Sequence, residues 1–190
     1  NDDRFGLLVS LQEYASERLH QMGAVHTTEQ NHGNYYATFG TEEALSMLHR
    51  HGGISASNVL NRELDNLMVA WKRAVASGQI AIAARTALAT IDVLRRIGPI
   101  HSAVSIATAT LELTELASQD RGFILLRGGA CQYQQGDYET AKTAFADALK
   151  IARELDDRRL EGLVVMHIGV AEYMMGQHDS AHNHFENALS

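Results

Sequence analysis

Among its 190 residues the chain has one cysteine, Cys131, and one proline, Pro99. A lone cysteine excludes an internal disulfide framework and any multi-cysteine zinc site. So little proline fits a mostly helical chain and disfavours a loop-rich one. Lysine is scarce, with Lys72, Lys142 and Lys150 alone, and no Gly-Lys pair occurs, so no P-loop can be built. The GxGxxG, GxSxG and HExxH patterns are missing too, so no catalytic residue is assigned and no cofactor is expected. Acidic residues outnumber basic ones by 23 to 16, a formal net charge of −7. That balance argues against direct contact with nucleic acid or an anionic membrane surface, which needs clustered excess positive charge. The longest uncharged run, 97–111, contains Gly98, Pro99 and His101 and is too short to span a bilayer.

No apolar stretch follows Asn1-Asp2-Asp3-Arg4, so no signal peptide is read and a reducing, cytoplasmic location is expected. The chain opens without methionine and reaches Ser190 in a helical register, so a piece of a longer protein is expected.

What is present is a repeat. Gly129, Tyr133, Gly136, Ala141, Phe145, Ala148 and Leu149 recur as Gly169, Tyr173, Gly176, Ala181, Phe185, Ala188 and Leu189, each offset by 40 positions. The pattern describes a helical hairpin. A glycine ends the first helix, where a left-handed residue costs little. Asp137 can cap the next helix. Ala141, Phe145, Ala148, Ala152 and Leu155 then recur at three- and four-residue intervals, giving one apolar stripe. The same spacing predicts helices over 63–76, 80–96, 101–117, 121–134, 138–155, 159–174 and 178–189. Upstream, helices are read over 10–22, closed by Gly23, then 32–39 and 41–51, the last capped by Thr41. A polar connector follows Gly52-Gly53 up to Asn61.

Single residues with a chemical alternative mostly read as structure. Cys131 lies inside a predicted hairpin helix, where a small apolar side chain packs well. Trp71 shares a stripe with Leu67, Met68 and Val75 and reads as a core anchor. His178 and His182 share a helical face, but neither Asp179 nor His184 points the same way, so no metal site is assigned. The pairs Glu112 with Glu115 and Asp156 with Asp157 read as solvated carboxylates, since acid–base work needs a sheltered cleft.

The Gly136 and Gly176 copies resemble the tetratricopeptide repeat (TPR), whose usual period is about 34 residues. The longer spacing is similar to repeats in the carboxyl-terminal sensor regions of bacterial signalling proteins. The resemblance implies that the first helix of each hairpin lines a concave surface. The partner-facing residues it implies are Phe123, Leu126, Ala130, Tyr133 and Gln134 in one copy, and Leu163, Met166, Val170, Tyr173 and Met174 in the next. A second resemblance covers the amino half. Arg4-Phe5-Gly6-Leu7-Leu8, with Leu11, Glu13-Tyr14-Ala15 and Glu17-Arg18-Leu19, resembles the end of the winged-helix region of STAND-type regulatory ATPases. Glu63-Leu64-Asp65-Asn66-Leu67, with Trp71 and Gly78, resembles the start of their helical repeats.

The expected architecture is all-α: a right-handed TPR-like α-solenoid of helical hairpins with a short N-terminal helical subdomain. Its parts are a winged-helix-like tail over 1–22, a helical connector over 23–62 and repeats over 63–190, the clearest copies being 121–158 and 159–190. The expected role is a non-enzymatic module that binds a protein or peptide and senses a small inducer within a larger bacterial regulatory protein. The alternative is a self-association module that forms a homo-oligomer and has no ligand of its own.

Overall fold

The computed structural model describes residues 9–48 and 53–189. All regular structure in them is helical. The helices are α1 (Val9–Gln21), α2 (Val25–Ala37), a 3-10 turn (Thr38–Gly40), α3 (Glu42–Met47), α4 (Gly53–Arg62) and α5 (Leu64–Ala76). They continue with α6 (Ile80–Ile97), α7 (Ile100–Leu111), α8 (Ser118–Gln134), α9 (Tyr138–Glu154), α10 (Arg158–Met174) and α11 (His178–Leu189). Neighbours in sequence pack as neighbours in space, and α6, α8 and α10 also touch in series. The result is a TPR-like α-solenoid in which α6, α8 and α10 form the inner layer, and α7, α9 and α11 the outer one.

The 40-residue repeat is a repeat of geometry. A Cβ added at Gly129 would lie 2.9 Å from Phe145 Cε1, and one added at Gly169 would lie 2.9 Å from Phe185 Cε1. Each phenylalanine therefore packs directly on the bare backbone of the preceding helix. The hairpin turns match as well. Gly136 and Gly176 adopt φ values of 86° and 80°, and the residue after each donates its N–H back to the carbonyl of Gln132 or Glu172. This wrapped ending satisfies carbonyls that the helix leaves open. Asp137 caps α9 as expected, its carboxylate accepting from Thr140 N at 3.3 Å, and Asp157 does the same for α10 through Leu160 N at 2.9 Å.

Helix α6 is the centre of the fold. From Ala83 to Leu94, all but Arg85 is buried, because α2, α5, α7 and α8 surround it. Its buried hydroxyls are satisfied within the helix: Thr86 donates to the Ile82 carbonyl and Thr90 to the Thr86 carbonyl, both at 2.7 Å. Trp71 packs against the same core, and its indole N–H donates to Thr110 Oγ1 at 3.0 Å. Cys131 is fully buried, and burial pushes its thiol up to about 11.

Several expected boundaries move: the helix read from 121 begins at Ser118, and the one read over 41–51 stops at Met47, with 49–51 outside the described residues. The helix read over 101–117 stops at Leu111, because the Arg121 guanidinium donates to the carbonyls of Leu111 and Leu113 and holds a turn there. The polar connector before Asn61 is helix α4. The helix read over 32–39 begins at Val25 and gives way to the 3-10 turn. The Arg4-Phe5-Gly6-Leu7-Leu8 motif lies outside the described residues. The cap at Thr41 forms, its hydroxyl accepting from Ala44 N at 3.3 Å.

Candidate functional site: the inner face

The inner layer presents α6, α8 and α10 side by side, and the segment containing the 3-10 turn and α3 lies across it. Gly40 makes the crossing sterically feasible. A Cβ there would overlap the Arg85 backbone carbonyl on α6, so only glycine permits this approach. Leu45 of α3 is buried in the main core cluster together with Leu88, Phe123 and Leu126. Glu42 forms an ion pair with Arg159 at the start of α10. A cavity of ≈ 230 Å³ beside this segment is lined by Glu42, Leu45, Arg85, Asp120, Arg127 and Arg159 among others. A second cavity, ≈ 400 Å³, continues along the inner face between Leu45, Arg95, Leu126, Arg127, Met166 and His167.

The charge on this face is unlike that of the whole chain. Four arginines, Arg85, Arg95, Arg127 and Arg159, line the two cavities of a protein whose net charge is −7. Arg127 pairs with Asp92, a carboxylate almost fully buried on α6. Among the described residues, one Asp92 oxygen and the Arg127 Nε have no hydrogen-bond partner. Burial pushes the Asp120 carboxyl up, while Arg85 opposes that shift. This arrangement offers positive charge beside apolar surface.

The ten partner-facing residues that the resemblance implies do not form one groove. Phe123 and Leu126 are buried in the main core cluster that also holds Leu45, so they are not open to a partner while Leu45 is in place. Leu163 is half-buried and Met166 exposed, and both line the inner-face cavities. Tyr133 lies elsewhere, in a cleft of ≈ 440 Å³ between the last two hairpins, where its hydroxyl donates to the Ala171 carbonyl at 3.3 Å. Gln134, Tyr173 and Met174 are exposed near the hairpin ends. The exposed residues of α10 nonetheless share a helical face: Met166, Val170, Tyr173 and Met174 follow one another at spacings of four, three and one.

Sequence reasoning missed the arginines and, although it read a helix over 41–51, did not place α3 on the inner face. A signal existed for one of them, since Asp92 interrupts an otherwise apolar helix and a buried carboxylate needs a cationic partner. The three clustered histidines go separate ways. His178 packs on Tyr173 with ring centroids 5.0 Å apart, His182 faces Glu186 at 3.2 Å and His184 faces Glu172 at 3.7 Å. Among the described residues, no group of three or more metal-ligating side chains converges.

With this geometry in view, comparison with known families places a tetratricopeptide repeat match on residues 121–190. That span is α8–α11, the two copies related by 40 residues. Tetratricopeptide repeats generally mediate protein–protein interaction and are typically non-catalytic. No curated protein and no solved structure gave a match to the chain. Among the described residues, no helix is long and apolar enough to cross a membrane.

Proposed function

We propose that the chain is a non-enzymatic interaction and sensing module that docks a protein or peptide on its inner face. The observation that carries this reading is the apolar stripe of α10. Val170 is 41% and Met174 69% exposed, with Met166 and Tyr173 beside them. Large apolar side chains gathered on one face rather than scattered singly mark interaction surfaces, and methionine and tyrosine are adaptable anchors there. The repeats supply the rigid scaffold.

The wider context belongs to the same proposal. Resemblance of the amino half to STAND-type regulators supports a place within a larger cytoplasmic bacterial signalling or transcription-regulating protein, with a winged-helix-like tail over 1–22, a connector over 23–62 and repeats over 63–190. There a partner or small inducer would bias hairpin packing through unequal affinity for two arrangements. Direct contact with nucleic acid or membrane is not part of this reading.

A photo-crosslinking amino acid placed at Val170 or Met174 in the producing cell tests it. Discrete adducts to another protein at these positions, and none at Lys142 on α9, are expected. Equal labelling at all three would overturn the docking assignment. An adduct of twice the chain mass would instead identify self-association, the second reading that the same stripe supports.

A further inference from the structure

We propose that the inner face recognises an acidic, leucine-bearing peptide segment, and that residues 38–48 of this chain occupy that place as its resident competitor. This inference rests on the inner face being a docking surface and specifies what docks there.

The resident segment shows which chemistry the face accepts. Glu42 supplies a carboxylate to Arg159, and Leu45 fills the apolar space beside Leu88. Charge complementarity extends beyond that one pair. With 38–48 in place, the two cavities and the carboxylate behind them set Arg85, Arg95, Arg127 and Arg159 against Asp92, Asp120 and Glu42. Without the segment, four arginines face two carboxylates. Arg95 makes no ion pair or hydrogen bond among the described residues and points into the cavity that continues past Leu45 and Ser46. An occupant with further acidic groups therefore finds partners that the resident segment leaves unused.

The segment is also built to leave. Helix α3 has six residues, far fewer than an isolated helix needs to persist in water. Both members of its ion pair with Arg159 remain well exposed, so water and salt weaken that contact. Attachment rests on the close approach at Gly40, on buried Leu45 and on the partly buried Phe39 and Leu48, a smaller apolar area than holds the long helices beneath, and such segments open locally at lower free energy than the core. While attached, the segment competes at an effective concentration on the order of mM, which suppresses binding of a free peptide. The apparent affinity of an incoming segment is reduced by the fraction of molecules in which the face is free.

The test uses a fluorescent peptide of residues 38–48, titrated by anisotropy against the natural chain and two variants. Gly40→Ala places a methyl group against the Arg85 carbonyl and expels the segment. Glu42→Lys sets like charges against each other at Arg159. Both variants are expected to bind the peptide about tenfold more tightly than the natural chain. A peptide carrying Glu42→Lys and Glu43→Lys should lose binding to all three. Equal affinity for the natural chain and both variants would overturn resident competition. Equal binding of the charge-reversed peptide would overturn acidic recognition. No binding to any chain, with helical circular dichroism intact, would overturn the inference while leaving the crosslinking test of the docking surface to stand separately. If Gly40→Ala loses helical signal, Glu42→Lys decides.

Discussion

Hairpins α8–α9 and α10–α11 repeat one plan, yet their inner faces have opposite fates. Leu126 and Met166 occupy equivalent positions 40 residues apart, and the first is 3% exposed while the second is 37%. Ala130 is buried and its counterpart Val170 is exposed; Arg127 holds a buried carboxylate where the second copy has His167. Register dictates which way a side chain faces. Whether that face is dry depends on what lies over it, and over α8 lies Leu45 from a segment about 80 residues earlier. The lesson is that a repeat in sequence sets local geometry, while the exposure of each copy follows from what the rest of the fold lays over it.

The largest expected contrast is at the charged position. Arg127→Ala strands the Asp92 carboxylate in the core and should lower stability by about 3–5 kcal/mol. His167, which stacks on Phe145 with centroids 5.9 Å apart, should cost about 1 kcal/mol when replaced by alanine. Denaturant midpoints measure both, and similar losses would break the contrast between the copies. Next come the apolar partners. Leu126→Ala should cost about 2–5 kcal/mol through the cavity it leaves, against about 1 kcal/mol or less for Met166→Ala.

A smaller difference is expected at the paired glycines. Alanine is about 1 kcal/mol better than glycine inside a helix, but its methyl group must displace a phenylalanine ring. Phe145 is buried and cannot yield, so Gly129→Ala should destabilise by about 1–3 kcal/mol. Phe185 is only half-buried and can shift, so thermal melting of Gly169→Ala should stay close to that of the natural chain. Cys131 gives the mildest contrast. Buried with its thiol pushed up to about 11, it should resist alkylation at pH 8, whereas the thiol of Ala171→Cys should react about tenfold faster. Because the folded thiol ionises above its ordinary value, its contribution to stability is constant at neutral pH. That contribution is lost as pH rises toward about 11.

Much of the scaffold was legible because its causes are local. Glycine at a left-handed turn, aspartate at a cap and a three- and four-residue apolar stripe act within one hairpin, so Gly136, Asp137 and Phe145 could be read directly. The TPR match over α8–α11 covers the same residues. The end of α7 was misplaced because Arg121, ten residues further on, supplies the capping donors. The site was less legible still. The TPR resemblance implied that Phe123 and Leu126 face the concave side but carried no information about Leu45, which reaches them only through the fold. Nor does any motif announce Gly40, whose role is steric and appears only once the Arg85 carbonyl is in place.

Hydroxyl-radical footprinting of the natural chain beside Gly40→Ala addresses the covering of the inner face most directly. In the natural chain, Met166, Tyr173 and Met174 should be oxidised while Leu45, Phe123 and Leu126 are protected. Expelling the segment should raise modification of Leu45, Phe123 and Leu126 several-fold and leave the α10 residues unchanged. Protection of Phe123 and Leu126 that persists after Leu45 becomes reactive would contradict the claim that residues 38–48 set the difference between the two copies.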